Sequence, residues 1–124
     1  MGARAWAVGI ALSAMSVMAP QAQAQSRSGS IFSGNDLYAA CTSTDFGQFN
    51  LCLGYLQGVS AGIQTDRMLA KVSRPFCLRE QVTLGQLKDV VVTFMQSDPA
   101  VRDQYAAGIV EVALIKAFPC STKP

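Results

Sequence analysis

The sequence predicts an all-α fold, a small disulfide-stabilised bundle of four to five helices. Three observations predict it: apolar residues recur at helical spacing, capping signals precede the periodic runs, and the chain has four cysteines but no histidine. An even number of cysteines in a small exported domain indicates two disulfides rather than a zinc or redox site. The part of the chain that remains after an N-terminal leader segment is long enough for one domain.

The first 24 residues have the layout of a secretory signal peptide. Arg4 gives a positive start, residues 5–19 are almost wholly apolar, and Ala22-Gln23-Ala24 supplies a small-residue cleavage pattern. The apolar run is shorter than the roughly 20 residues of a membrane span, so a cleaved leader is favoured over an N-terminal anchor or a buried helix. Cleavage leaves residues 25–124, with nine basic and eight acidic residues and no membrane span. That balance does not predict a nucleic-acid partner.

The first helix should begin at Ser33, after a flexible lead-in of residues 25–32. Ser33 and Asp36 have the spacing of a capping box, in which each side chain bonds a backbone N–H of the first turn. Leu37, Tyr38 and Cys41 then share one face of the helix.

The second helix should run from about Phe49 to Arg67. Its apolar residues wrap much of the circumference, which predicts a central, buried helix. It contains Gly54, Gly58 and Gly62, although each helical glycine costs about 0.5–1 kcal/mol relative to alanine. Because residues four apart lie nearly in line, these glycines are interpreted as a groove that admits another helix of the same bundle. The alternative is a cleft for a partner or for a second copy of the chain. Under the packing interpretation, Gly58→Leu should loosen the domain.

Two further helices should follow Cys77. Thr83 and Gln86 have capping-box spacing and start the third helix, which should end near Gln96. Pro99 suits the first position of a fourth helix, with Asp98 as its cap. That helix should end by Pro119 and be followed by a short tail of residues 121–124.

The four cysteines allow three disulfide pairings. The candidates are Cys41, Cys52, Cys77 and Cys120. An up–down bundle favours Cys41 with Cys52 and Cys77 with Cys120, but the segment before Cys77 could also reach back to Cys52.

The sequence offers little support for an enzyme. The pentapeptide GVSAG, residues 58–62, matches the G-x-S-x-G nucleophile elbow with Ser60 as nucleophile. That elbow requires a strand-to-helix turn and a histidine partner, whereas this chain has no histidine and the pentapeptide continues a helical pattern. No catalytic residue, cofactor or metal ligand is therefore predicted.

Four segments taken together resemble the Rap/Tai family of periplasmic type VI secretion immunity proteins. In family order they are SGNDLYAAC (33–41), FNLCLGYLQGV (49–59), CLREQVTLGQLKDVVVTFMQSDPAVR (77–102) and AAGIVEVALIKAFPC (106–120). The resemblance implies a helical domain over residues 33–120, exported to the periplasm of a Gram-negative bacterium. It also implies an inhibitor that binds a peptidoglycan amidase toxin, not an enzyme.

The surface that meets the toxin is expected at the basic loop of residues 66–76. The candidate residues are Arg67, Lys71 and Arg74, with Phe46 as an exposed aromatic. A homodimer is a second partner to test. The alternative functions are a small periplasmic helical chaperone or stress protein without a cognate toxin, and an envelope-associated structural module.

Overall fold

The computed structural model describes residues 32–121 and contains four α-helices and one short 3-10 helix. The elements are α1 (Gly34–Cys41), α2 (Phe46–Leu69), α3 (Leu84–Ser97), the 3-10 helix (Pro99–Asp103) and α4 (Ala106–Ala117). No β-strand occurs in this part of the chain. The predicted all-α bundle is therefore confirmed, while the proposed signal peptide, residues 25–31 of the lead-in and residues 122–124 lie outside the described range.

One apolar core joins the four α-helices. Leu37 of α1, Leu56 of α2, Val91 of α3 and Leu114 of α4 are fully buried, and each lies on the inward face of its helix. Phe76, in the connection between α2 and α3, is also fully buried. Burial of a large apolar side chain contributes about 1.5–3 kcal/mol, so this residue fixes a long connection to the core.

Both predicted capping boxes are present. The Asp36 N–H donates to Ser33 Oγ at 3.2 Å and the Ser33 N–H donates to Asp36 Oδ2 at 3.0 Å. Thr83 and Gln86 make the same reciprocal pair at the start of α3, at 3.2 and 2.8 Å. These helix starts are correct in the sequence analysis because a capping box is specified by residues only three apart.

The second helix starts three residues earlier than predicted. Asp45 is its N-cap, and the Asp45 side chain accepts a 2.9 Å hydrogen bond from the Gln48 N–H. Gly47 sits in the first turn, although the sequence around it reads as a loop. The lead-in also ends earlier than predicted, since the Phe32 ring lies 4.8 Å from the Tyr55 ring.

The predicted fourth helix is interrupted. The chain is extended at Gln104 and Tyr105, between the 3-10 helix and α4. The Gly34 N–H donates to the Gln104 carbonyl at 2.9 Å, and the Ala106 N–H donates to the Phe32 carbonyl at 3.0 Å. This pairing with the residues before α1 competes with a continuous helix. Asp98 stands at the cap position, but its side chain makes no capping hydrogen bond, which corrects that prediction.

The disulfides join Cys41 to Cys52 and Cys77 to Cys120. The first cross-links α1 to α2 within the core, where both cysteines are buried. The second closes a segment that contains α3, the 3-10 helix and α4. The pairing favoured by an up–down bundle is confirmed, and the alternative between Cys52 and Cys77 is excluded.

The prediction that Gly54, Gly58 and Gly62 pack against a neighbouring helix is wrong. All three are exposed, and a Cβ on any of them would meet no described atom within 4 Å beyond the local turn. The buried positions of α2 are Cys52, Leu56 and Ser60. Each glycine comes two residues after one of these positions, and two residues rotate an α-helix by about 200°. The glycines therefore face away from the core, and α2 is half exposed rather than central.

The close approach between helices occurs instead at Gly34, the first residue of α1. A Cβ there would lie 2.8 Å from both the Cα and the carbonyl oxygen of Arg102, and it would also overlap Cδ1 of Ile109. No side chain fits at such distances. Gly34 therefore lets α1 sit directly against the 3-10 helix and α4.

Candidate functional site: the tip of α2

The C-terminal end of α2 has a Schellman cap with a lysine where glycine is usual. The Val72 N–H donates to the Arg67 carbonyl at 3.1 Å, and the Lys71 N–H donates to the Met68 carbonyl at 3.2 Å. This pair of bonds requires a left-handed residue at the position after the cap, and Lys71 has φ 55°. Among the described residues, no other non-glycine residue has a positive φ.

The left-handed conformation at Lys71 is a local strain. An L-residue pays roughly 1–2 kcal/mol for this conformation, whereas glycine pays little. Such strain persists when neighbouring contacts hold it, and it is found most often at functional sites. Because Lys71 is exposed, its side chain gains nothing from burial within this chain that would offset the cost. The outlier therefore marks this turn as a candidate site.

Apolar and cationic side chains share the same turn. Met68 is 65 %, Leu69 74 % and Val72 49 % exposed, and Lys71 and Arg74 are exposed beside them. We call these five residues the α2 tip. Large apolar side chains grouped on the surface are typical of an interaction site, and the two cations favour an acidic partner.

The segment that carries the tip is fixed at both ends. The Schellman cap holds its start, and the buried Phe76 holds its end. The Cys77 N–H donates to the Phe118 carbonyl at 2.9 Å, and the Cys120 sulfur lies 3.7 Å from the Arg74 carbonyl oxygen. The tip is therefore held at both ends by contacts within this chain, which reduces the entropy that a partner must pay to order it.

The structure brings only some of the sequence-predicted residues together. Lys71 and Arg74 lie in the tip, but Arg67 is only partly exposed, and its guanidinium lies 3.8 Å from Glu111 of α4. Arg67 thus supports the base of the tip. Phe46 is 81 % exposed but begins α2, roughly 35 Å from the tip along the helix axis at 1.5 Å per residue. It cannot belong to the same contact patch.

The tip also contains residues that the sequence analysis did not select. Met68, Leu69 and Val72 lie within the predicted basic loop of residues 66–76, from which only cations were selected. The structure shows that these three apolar side chains face solvent. The left-handed position of this turn is a lysine, so the sequence lacks the glycine that would normally indicate such a turn. Both features depend on how α2 sits against the other helices.

The geometry removes the nucleophile-elbow interpretation of residues 58–62. Ser60 is buried in the middle of α2, and its hydroxyl donates to the Gln57 carbonyl at 3.1 Å. No strand-to-helix turn is present there. Within residues 32–121 no grouping of His, Cys, Asp or Glu could hold a metal ion. In the same range no helix has the length and hydropathy needed to cross a membrane.

Two shallow apolar grooves flank Phe94 on the α3–α4 surface. The larger, about 420 Å³, includes Val90 and Ala113, and the smaller, about 270 Å³, includes Val101 and Val112. The Lys116 ammonium lies 4.8 Å from the centre of the Phe94 ring. Neither groove includes a residue of the tip.

A family model described as Rap1a immunity proteins matches residues 33–120. The match covers 88 of the 124 residues and includes every helix described above. No curated protein and no solved structure matches the chain significantly.

Proposed function

This chain belongs to the Rap1a immunity protein family, and on that premise we propose that it is a periplasmic inhibitor of a peptidoglycan amidase toxin delivered by type VI secretion. It acts by binding the toxin and not by catalysis. The α2 tip is the observation that carries the proposal of how it binds.

Three properties of the tip support inhibition by occlusion. The tip lies at the C-terminal end of a 24-residue helix, it exposes large apolar side chains, and the chain that follows it is held by the buried Phe76 and the Cys77–Cys120 disulfide. An exposed apolar surface that is held in place on both sides is suited to covering the active site of an enzyme. Affinity in such an interface comes from a few buried anchors, for which Leu69 and Val72 are the candidates.

The cysteines support a location outside the cytoplasm. Both disulfides are formed, and they leave no free cysteine among the described residues. Structural disulfides persist in oxidising compartments, including the bacterial periplasm, and are rare in the cytosol. The signal-peptide pattern of residues 1–24 points to the same compartment.

The test first looks beside the gene of this chain for a gene that encodes a secreted peptidoglycan amidase. The mature chain is then mixed with that amidase, and complex formation and peptidoglycan hydrolysis are measured. We expect a stable complex and loss of hydrolysis. Val72→Ser and Lys71→Gly should each weaken the complex about tenfold, equivalent to about 1.4 kcal/mol. Lys71→Gly is informative because glycine preserves the Schellman cap while removing the charged side chain.

Val112→Ser on α4 is the matched control, since Val112 is 43 % exposed and Val72 is 49 % exposed. It should leave both binding and inhibition unchanged. A fully active amidase and no complex with the unaltered chain would refute the proposed function for that pair. Inhibition that survives Val72→Ser, Lys71→Gly and Arg74→Ala would retain the function but remove the tip as its site.

A further inference from the structure

The two disulfides differ in how well solvent reaches them. Cys41 and Cys52 are both buried, so a reagent meets their disulfide only when the core opens. Cys77 is exposed, and its partner Cys120 is half-buried. Because a thiolate must contact a sulfur atom in order to exchange with a disulfide, the Cys77–Cys120 disulfide is the one that can react in the folded chain.

A surface cleft leads to this disulfide. The cleft has a volume of about 420 Å³, and its wall contains Cys77 together with Arg79, Gln86 and Phe118. Cys120 is not among the residues that line it. Clefts of roughly 300–1,000 Å³ accommodate small ligands, so a small thiol can enter this one. A nucleophile in the cleft therefore meets Cys77 and not Cys120.

The charges around the disulfide also favour attack at Cys77. Arg79 is exposed, forms no ion pair within residues 32–121, and shares the cleft with no acidic residue of that range. A cation beside a disulfide attracts an anionic thiolate and stabilises the thiolate that leaves. The Arg74 carbonyl oxygen, by contrast, lies 3.7 Å from the Cys120 sulfur, and its partial negative charge opposes a thiolate that approaches Cys120.

We propose that Cys77 is the attack site of a thiol–disulfide exchange in which a dithiol reduces the Cys77–Cys120 disulfide. One thiolate of the dithiol enters the cleft and forms a bond to Cys77 Sγ, while the bond between Cys77 and Cys120 breaks. Cys120 leaves as a thiolate and takes a proton from water. The second thiolate of the dithiol then attacks the dithiol sulfur in the mixed disulfide, so Cys77 is released and protonated in turn. The protein gains two electrons and two protons, and the dithiol becomes a disulfide.

Reduction should loosen the chain that follows the α2 tip without unfolding the domain. Cys77 directly follows the buried Phe76, and the Cys77 N–H donates to the Phe118 carbonyl at 2.9 Å. Both contacts remain possible after reduction, and the Cys41–Cys52 disulfide stays within the core. The covalent bond that ties this segment to the end of α4 is lost, so the segment opens more often. The exchange itself does not depend on a toxin, and only its effect on inhibition rests on the proposed function.

The first experiment compares the two disulfides in the full mature chain under native conditions. The chain is treated with dithiothreitol, free thiols are alkylated at successive times, and the modified cysteines are mapped by mass spectrometry. Cys77 and Cys120 should be released about 100-fold faster than Cys41 and Cys52, because the buried pair reacts only when the core opens. In concentrated urea, the control, the difference should vanish. Equal rates in the native chain, or faster reaction of the buried pair, would overturn the proposal.

The second experiment tests the cleft as the route of attack. Glutathione is an anionic thiol, whereas cysteamine carries an ammonium group. Arg79→Gln should slow the opening of the disulfide by glutathione about fivefold, and should slow the reaction with cysteamine less. Lys116→Gln is the matched control, since Lys116 is an exposed cation that lies over Phe94 and does not line the cleft. Equal effects of the two substitutions, or no effect of Arg79→Gln, would remove the cleft as the route.

The same reaction with glutathione identifies the sulfur that is attacked. In samples quenched with acid, peptide mapping should find glutathione attached to Cys77. Glutathione attached mainly to Cys120 would overturn the assignment of the attack site.

The third experiment measures the consequence of reduction. After reduction and alkylation of Cys77 and Cys120, the Cys77 N–H should exchange with solvent about tenfold faster. The Leu37 N–H of α1, which donates to the Ser33 carbonyl at 3.0 Å, should exchange as before. An unchanged rate at Cys77, or faster exchange at both positions, would overturn the local loosening.

Binding to the amidase then separates this inference from the proposed function. The reduced and alkylated chain should bind the amidase about tenfold more weakly than the oxidised chain. Equal binding by the two forms would overturn the effect of reduction on inhibition. If the oxidised chain does not bind the amidase at all, the proposed function fails, whereas the exchange at Cys77 is still decided by the first two experiments.

Discussion

Two glycine-to-alanine substitutions should change the free energy of unfolding in opposite directions. At Gly34 the added Cβ would stand 2.8 Å from two backbone atoms of Arg102 and would overlap the Ile109 side chain. At Gly58 it would meet no described atom within 4 Å outside the local turn. The same chemical change is thus made once in a tight contact and once in open solvent.

The expected magnitudes follow from these surroundings. Overpacking at Gly34 costs about 1–3 kcal/mol, because backbone atoms cannot turn aside as a flexible side chain can. Displacement of α1 also weakens the 2.9 Å bond from the Gly34 N–H to the Gln104 carbonyl, which contributes about 0.5–1.5 kcal/mol. Gly34→Ala should therefore lower stability by about 2–4 kcal/mol. Gly58→Ala should raise it by about 0.5–1 kcal/mol, the helix preference of alanine over glycine.

The assay is urea denaturation followed by circular dichroism. Thermal midpoints should move in the same directions, by about 4–8 °C per kcal/mol for a domain of this size. If Gly58→Ala destabilises the protein by 1 kcal/mol or more, the assignment of this glycine to an open face is wrong. If Gly34→Ala is neutral, the close contact between α1 and the 3-10 helix is not a constraint on the fold.

Two other predictions concern the disulfides and pH. Replacing both Cys77 and Cys120 with alanine should lower the free energy of unfolding by about 4 kcal/mol, since this disulfide spans 43 residues. Urea denaturation measures this loss of stability, and a loss under 1 kcal/mol would contradict the prediction. Burial raises the pKa of Tyr55 above its usual 10.0, although a backbone hydrogen bond at Ala107 partly opposes the shift. Folding therefore favours the neutral phenol, so its contribution to stability is complete below pH 10 and is lost as pH rises through the higher folded pKa. Thermal melts across this range should show the decline, and Tyr55→Phe should reduce it.

Most parts of the fold that the sequence predicts correctly depend on residues close together in the chain. The pairing of Cys77 with Cys120, 43 residues apart, is the exception, and it follows once Cys41 is paired with Cys52. The capping boxes at Ser33 and Thr83 each involve a partner three residues away, so no tertiary information is needed to find them. The disulfide between Cys41 and Cys52 is also short, with 11 residues of separation, and a helix-turn-helix connection brings its ends together.

The errors arise where tertiary contacts decide. Apolar and small residues occur all around the circumference of α2, so the sequence does not show which side of this helix faces the core. Only its contacts with α1, α3 and α4 show that Gly58 faces outward. The fourth helix is divided because backbone groups at Gln104 and Ala106 pair with residues some 70 positions earlier. In the candidate site, cationic residues were predictable, but the left-handed turn at Lys71 and the exposure of Leu69 were not.

Each of the two disulfides lies within one half of the described chain, so only the backbone joins the two halves covalently. When a protease makes one cut between Cys41 and Cys52, or between Cys77 and Cys120, the two fragments stay covalently linked, because a disulfide still joins them. A cut in the α2 tip is different: it separates α1 and α2 from α3 and α4, which are then held together only by the core. The α2 tip is thus both the proposed binding surface and part of the segment that connects the two halves. A partner that covers the tip would protect an exposed, non-helical segment in which a single cleavage separates the two halves.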